Sequence, residues 1–470
     1  MDTNINYIKH FIFLFLLISV SACTDSEDAN DTPITDPMMD MEEPIDQEGI
    51  ASDEVTVIQA WNDQILIIDR FALGMRPNAC ARALAYINLA AYETGLAVMD
   101  GYVSNDMRLD ELDIDAPPSA ESINIQVALN KTYAEVIGYF YGNRATEFNS
   151  DITSLETSLL DLASIDVSDD MLARSIAWGE HVASSVIAYS ETDREGMLQA
   201  LAPQPQYYEP PTGIGFWTYS AEPERALFPY WESVRTFVVS ADESSSIAPL
   251  EYSTDEESPY YQEMLEVYQA NNAAREEDGE ALWIAEFWSD DVETLMMSPP
   301  GRQISLARQL IDMADMELSE ALHLLVKVGF ALNDAAVSTW DDKYHYMVMR
   351  PSVYIHDNID PTYETNLFRL IPWPNPSFPA YPSGHSAFAG AAGGVFIDFL
   401  GNSLNFTDMT HLDRTEFRGM PRTFTSIEEF AEENAFSRIP LGVHMRMDCV
   451  EGLRLGYEIA DGVNSYNLKE

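Results

Sequence analysis

The sequence predicts an all-α protein, a large single domain of bundled helices with its active site in loops and at helix N-termini. Apolar residues recur at helical spacing through most of the chain, period-two alternation is nearly absent, and the longest interruption is rich in Pro, Tyr, Gly and Ser, as ordered loops are. DEVTVIQAWNDQILIIDRFA opens the globular part near Val55. NACARALAYINLAAYETGLAVMDGY follows, dominated by Ala and Leu, and predicts a buried helix. INIQVALNKTYAEVIGYFY, ITSLETSLLDLASI and MLARSIAWGEHVASSVIAYSET predict three more. Residues 202–262, with APQPQYYEPPTGIGFWTYS, predict long loops. Helices resume in SPYYQEMLEVYQANNAAREEDGEALWIAEFWSDD, and two more fill SLARQLIDMADMELSEALHLLVKVGFALNDAAVSTWDDKYHYM. SGHSAFAGAAGGVFIDFL then predicts a helix behind a capping serine. No fixed-period repeat is present.

The chain has 470 residues, 46% of them hydrophobic, enough for a substantial core. Acidic residues outnumber basic ones 78 to 25, a formal net charge of −53, which excludes nucleic acid and anionic lipid surfaces as partners. Only five of the 25 cations are lysine. Such a surface suits a salty medium, where repulsion is screened, or is simply a solvated acidic face. At the N-terminus FIFLFLLISVSA precedes Cys23 and has the length of a signal-peptide core. Val20, Ser21, Ala22 and Cys23 resemble a bacterial lipobox, so residues 1–22 are expected to be a lipoprotein signal and Cys23 the lipidated first residue of the mature chain; an ordinary signal peptide is the alternative. Residues 23–54 are acidic and without aromatics, a disordered tether. Residues 55–470 are the expected helical domain, with no apolar run long enough to cross a membrane. The expected location is a bacterial cell envelope, lipid-anchored and periplasmic or surface-exposed, or the medium after secretion. Cys80 and Cys449 either pair or remain buried thiols.

Residues 381–390 read YPSGHSAFAG. They do not make a nucleophile elbow: Gly384-His385-Ser386-Ala387 is followed by Phe388, not glycine, and FPAYP is no strand. Upstream, Lys343 is followed after six residues by Arg350-Pro351; downstream, Ser437-Arg438 precedes His444, and Asp448 comes four residues later. Two guanidiniums, one ammonium, a Ser-Gly turn and two histidines suit a tetrahedral oxyanion. The N–H groups of Ser383 and Gly384 at a helix start would add donors. Each residue alone has an ordinary reading: Lys343 and Arg350 as surface cations on one helix, Ser383 as an N-cap, His444 as a core or surface histidine, Trp340 as core. Together they point to one anion site. His345 and His323 are expected to be structural, and the methionines of MRMDC and KYHYMVMRP to be packing.

The pattern K-x6-R-P, P-S-G-H and S-R-x5-H-x3-D resembles the signature shared by type 2 phosphatidic acid phosphatases, bacterial acid phosphatases and vanadium-dependent haloperoxidases. The lipid phosphatases have several membrane spans and the soluble acid phosphatases are about half as long, so the resemblance is to the haloperoxidases. Trp340 matches a tryptophan of that branch, Phe378 stands where chloroperoxidase-like members carry phenylalanine, and FWSDD resembles the segment whose aspartate pairs with an active-site arginine, with Asp291 the better match and Asp290 the alternative. ARALAYINLAAYET resembles the family's first core helix. The resemblance runs over roughly residues 55–465 and is densest from 285 onward.

The resemblance implies two four-helix bundles and a vanadate cofactor, with hydrogen peroxide and a halide ion as substrates. Lys343, Arg350 and Arg438, with the amides of Ser383 and Gly384, would neutralise vanadate oxygens. His444 would be the metal ligand, with Asp448 orienting its ring. His385 would be the acid–base group and Lys343 would also polarise bound peroxide. Trp340, Phe378, Asp291 and Asp448 would stand behind these. Hypohalous acid would halogenate small organic acceptors. Iodide ranks first and bromide second. The alternative is a soluble acid phosphatase in which His444 is the phosphohistidine nucleophile and His385 protonates the leaving group.

Overall fold

Helices begin where the acidic leader gives way to apolar periodicity. The structure, a computed structural model, describes residues 54–219, 224–277, 279–290, 292–369 and 375–469. The signal segment, Cys23, nearly all of the tether and Asp291 lie outside the described residues. The N-terminal half contains α1 (Val55–Asp69), α2 (Asn78–Gly95), α3 (Ile125–Tyr141), α4 (Asn149–Ala163), α5 (Asp169–Thr192) and α6 (Arg194–Leu201). After a long loop region come α7 (Pro259–Glu277), α8 (Glu280–Phe287), α9 (Pro299–Ala314), α10 (Leu318–Tyr346), α11 (Pro351–Asn358) and α12 (Gly384–Leu400). A two-stranded antiparallel ribbon, β1 (Phe406–Asp408) and β2 (Arg422–Phe424), pairs Phe406 with Phe424. The chain ends with α13 (Ile427–Phe436), α14 (Arg438–Leu441) and α15 (Arg446–Ser465). Polar residues start these helices as the sequence leads one to expect: Asn124, Ser168 and Ser383 each accept a backbone N–H three residues on.

Two groups of helices share α10. On one side α2 packs against α10 and α3, and α3 against α5. On the other, α12 packs against α10, α13 and, most extensively, α15. Every residue of α2 is buried, which is why its sequence is Ala- and Leu-rich on all faces. By length and composition α10 is long and apolar enough to cross a membrane, contrary to the expectation from sequence, yet 94% of its most apolar window is buried inside the protein. It is a core helix, and its charged residues explain the difference. Asp334, fully buried in mid-helix, accepts the N–H groups of Phe237, Val238 and Val239 at 2.8, 2.8 and 2.9 Å. Asp342 accepts the N–H of Ser246 at 2.7 Å. These carboxylates anchor the Pro- and Tyr-rich loops; burial outweighs the three hydrogen bonds and pushes Asp334 up to about 6.

The closest packing sets up the site. α15 reaches the start of α12 through glycines: a Cβ on Gly452 would come within 2.4 Å of the Ser383 carbonyl, and one on Gly456 within 2.3 Å of the Ala387 carbonyl. Only glycine permits that approach. Cys80 and Cys449 are both buried free thiols.

Candidate active site

The three motif blocks meet at the N-terminus of α12. Lys343, Arg350, Arg438, Ser383 and Asp448 are 0 to 1% exposed, His444 3% and His385 6%. The first block is split between two helices. α10 ends at Tyr346, Met347 takes a left-handed conformation (φ 53°), and Arg350 is the N-cap of α11 with Pro351 in its first turn. Lys343 and Arg350 therefore do not share a helix face as two surface cations would. The break in the chain turns both inward.

Phe378 is the floor on which they meet. Lys343 Nζ lies 5.2 Å from its ring centroid and the Arg350 guanidinium carbon 4.8 Å, while Trp340 packs against the same ring at 4.8 Å between centroids. Arg350 Nε donates to the Phe378 carbonyl at 2.9 Å and Nη1 to the Val443 carbonyl at 3.1 Å. Lys343 Nζ donates to the carbonyls of Pro379, at 3.1 Å, Ala380, at 2.9 Å, and Pro382. An ammonium has three N–H donors. Lys343 thus holds the turn before Ser383 in place and acts on the site as a point charge, a role the sequence reading did not include.

His444 stands in the short link between α14 and α15, just before the Met445 N-cap. Its Nδ1 lies 2.9 Å from Asp448 Oδ2, which also accepts the Met445 N–H at 3.1 Å. Asp448 caps the start of α15, and the ring comes to it from outside the helix. His444 Nε2 lies 3.3 Å from Arg350 Nη1. A guanidinium only donates, so Nε2 is the acceptor and Nδ1 carries the proton toward Asp448. Burial, then the charges of Arg350, Lys343 and Arg438, hold the imidazole well below its usual pKa and keep it neutral. Burial pushes the Asp448 carboxyl upward, against the hydrogen bond from Met445 and the charges of Lys343 and Arg350.

One expectation for the helix start is corrected. The Ser383 N–H donates to the Asp448 carbonyl at 2.9 Å, and its hydroxyl accepts from the Ser386 N–H at 3.4 Å. The glycine contact between α12 and α15 brings that carbonyl in, so the Ser383 amide serves packing and not an anion. Gly384, the first residue of α12, retains an N–H that the helix leaves unpaired. A Cβ there would sit 3.2 Å from the Trp340 ring. A cavity of about 10 Å³ is lined by Gly384, His385, Arg438, His444, Trp340 and Phe378, with Pro77, Pro299, Pro376 and Phe388 completing it. Arg438 donates to the Trp288 carbonyl at 2.9 Å.

Asp290, the alternative partner for an active-site arginine, pairs instead with Arg302 at 2.8 Å. Arg302 also pairs with Asp408 at 3.3 Å and contacts His411, and all four side chains are fully buried. The sequence reading missed this cluster, and it missed Pro77 and Pro299. Arg302, in the first turn after Ser298-Pro299-Pro300, was the available signal: a cation just inside a helix start, where the dipole disfavours it. His345 is exposed, and His323 is half-buried between Tyr102 and Phe399.

The residues fit a tetrahedral oxyanion with a metal centre. Arg438 lines the cavity, the charges of Lys343 and Arg350 bear on the same imidazole from close by, and that buried ring turns a lone pair to the guanidinium side.

Comparison with known proteins agrees with this chemistry. A family profile described as the VCPO second helical-bundle domain matches residues 323–469, which contain all three blocks. The chain is similar to a vanadium chloroperoxidase of Curvularia inaequalis, 27% identical over 213 residues, covering 34% of this chain and 35% of that protein. It is also similar to a vanadium-dependent bromoperoxidase of Ascophyllum nodosum, 35% identical over 94 residues, covering 18% of this chain and 17% of that protein. The matches thus span about a third and a sixth of these relatives' lengths. Among solved structures, a bacterial vanadium-dependent iodoperoxidase superposes with a TM-score of 0.78 at 25% identity, covering 88% of this chain and 97% of that one. A holo-type bacterial vanadium-dependent chloroperoxidase superposes with a TM-score of 0.66 at 15% identity, covering 84% and 93%, and shares the fold.

Proposed function

We propose that the chain is a member of the vanadium haloperoxidase family that uses vanadate to oxidise halide with hydrogen peroxide to hypohalous acid, iodide first and bromide second. The observation that carries the proposal is the buried His444, with Nδ1 fixed by Asp448 and Nε2 facing Arg350, beside a small cavity lined by Arg438, His385 and Gly384. When bound, vanadate supplies a Lewis-acidic centre that polarises the O–O bond of peroxide without changing its own oxidation state. His444 would ligate vanadium through Nε2. Arg350 and Arg438 would neutralise oxygens of the anion, Gly384 N–H would donate to one, and Lys343 would contribute its charge from behind Phe378. Asp448 keeps the proton on Nδ1 and so keeps the ligating nitrogen bare. His385, at the cavity wall, accepts a proton from incoming peroxide at a ring nitrogen and returns one to the departing oxygen. The halide–oxygen bond forms as the O–O bond breaks, and with one further proton taken up from solvent the products are hypohalous acid and water.

Iodide ranks first because iodide is the easiest halide to oxidise and because a structure similar over most of this chain is that of an iodoperoxidase. The test is to load the apo-protein with orthovanadate and supply peroxide with iodide, bromide or chloride. Vanadate-dependent halide oxidation that inorganic phosphate suppresses is expected. Turnover of p-nitrophenyl phosphate without vanadate, and no halide oxidation with it, would instead make the protein a phosphatase with His444 as nucleophile. The lipobox-like Val20-Ser21-Ala22-Cys23 supports a further reading, lipid anchoring at a bacterial envelope. Membrane association lost in a Cys23→Ser variant tests it.

A further inference from the structure

His444 hangs in a link that one helix holds at both ends. The link runs from the end of α14 to the first turn of α15, and α7 packs against α14. At the α14 end Asn271 Nδ2 donates to the carbonyls of Pro440 and Leu441, each at 3.2 Å. At the α15 end Glu263 Oε2 accepts the Met447 N–H at 2.8 Å. Leu441 and Met447 stand three residues either side of His444. Glu263, Val267 and Asn271 follow at four-residue intervals, so they share a face of α7 and span about 12 Å along it. Val267 is buried between the two polar residues.

The approach is close. Gly442 has φ 92°, and a Cβ there would come within 2.6 Å of Asn271 Nδ2 and 2.4 Å of the Tyr363 hydroxyl. Glycine takes that conformation without strain and lets α7 come so near. Asn271 is fully buried and Glu263 half-buried. The Met447 N–H is one of the first-turn donors that α15 cannot pair within itself, and a carboxylate is favoured at a helix start. A third contact of α7 differs in kind. Glu266 pairs with Arg446 Nε at 3.1 Å, but both side chains meet solvent, and an exposed pair holds little.

We propose that Glu263 and Asn271 are positioning residues for His444: by fixing both ends of its link they fix where the bare Nε2 points, and so how tightly vanadate is held. The inference rests on the haloperoxidase reading. Asp448 sets which ring nitrogen carries the proton, and α7 sets where the ring stands. A ligand atom held from behind in this way loses affinity when its support is loosened, although the support touches no part of the anion. What Glu263 supplies is the hydrogen bond and not its charge. After burial, that charge is a further cause that pushes the Asp448 carboxyl upward, the opposite of what keeps the proton on His444 Nδ1.

The test uses the full chain and orthovanadate, with binding followed by equilibrium dialysis in the absence of peroxide and halide. Wild-type binding is measured first and reports the reading of the site by itself. Glu263→Ala and Asn271→Ala are each expected to weaken vanadate binding by about tenfold, and to lower kcat for iodide oxidation at saturating vanadate by much less. Glu263→Gln keeps an oxygen for the Met447 N–H and is expected to bind within about twofold of wild type. Glu266→Ala, which removes only the exposed pair, is expected to do the same. Wild-type affinity in both alanine variants overturns the proposal, and so does a Glu263→Gln variant as weak as Glu263→Ala. Should Asn271→Ala fail to fold, the Glu263 pair of variants decides by itself. A wild type that binds no vanadate sinks the haloperoxidase reading and this one with it.

Discussion

Two buried histidines, His444 and His411, have almost the same surroundings and opposite roles. Both lie against an arginine, Arg350 for one and Arg302 for the other, and both are held well below the usual pKa, first by burial and next by that guanidinium. They differ at the ring nitrogen away from the guanidinium, which a carboxylate holds in His444 and no hydrogen-bond partner among the described residues holds in His411. His444 Nδ1 points at Asp448, so Nε2 is the bare atom and borders a cavity. His411 Nε2 meets both the Arg302 guanidinium and, at 3.0 Å, the Phe287 carbonyl, and its Nδ1 has no hydrogen-bond partner among the described residues, lying beside the Phe287 and Phe417 rings. The carboxylates divide the same way. In the second cluster Asp290 and Asp408 both serve the guanidinium, which leaves none for the imidazole. In the first, Asp448 is turned to the ring. Burial and a neighbouring cation do not by themselves fix which nitrogen is bare; a carboxylate at the other nitrogen does, and His444 has one where His411 has none.

The widest separation between the two is expected from His444→Ala, which removes the bare nitrogen: vanadate-dependent halide oxidation should fall by more than about a thousandfold, whereas His411→Ala should leave vanadate binding within a fewfold and lower stability instead. Vanadate titration followed by the halide assay reads both; equal losses in the two variants would erase the distinction. Asp290→Ala is next. It leaves Arg302 buried with Asp408 alone, and chemical denaturation should show a loss of about 3–5 kcal/mol. A loss under 1 kcal/mol would mean that the cluster is not closed by its ion pairs. Asp448→Asn sharpens the tautomer argument. An amide no longer favours the proton on Nδ1, so vanadate affinity should fall about 10–100-fold with little change in the folded structure. Unchanged affinity would remove Asp448 from the account.

The smallest effect is in pH. A histidine whose folded pKa is depressed binds fewer protons folded than unfolded, so stability is complete above the unfolded value near 6.5 and declines as pH falls below it. His411 and His444 both have this sign. Each contributes a slope of at most about 1.4 kcal/mol per pH unit below 6.5. His411→Gln should flatten the decline without changing stability at pH 8 relative to its own plateau. Denaturation midpoints from pH 5 to 8 would show it, and an unaltered slope would count against a neutral His411.

The active-site residues were legible because each block is local. Lys343 and Arg350, Ser383 and Gly384, and Arg438, His444 and Asp448 carry their meaning in short spacings that survive without knowledge of the fold. The Arg302 cluster was not legible. Arg302 stands 106 positions before Asp408 and 109 before His411, and no periodicity links positions so far apart. The roles were also less legible than the identities. Spacing put Asp448 four residues after His444, and the structure joins the two through a helix cap. Spacing likewise pointed to the Ser383 amide as an anion donor, and α15 takes that donor for itself.

By itself the sequence determined the helices, their caps and which side chains the candidate site gathers, since helical periodicity, capping and charge all act over a few residues. Tertiary structure alone decided which donors are already spent, as at Lys343 and Ser383, which nitrogen of His444 is bare, and that a roomier chamber lies against a cavity too small for any organic guest. Those are properties of groups brought together across hundreds of positions, where hydrogen-bond partners and excluded volume are set by packing, and packing has no local code.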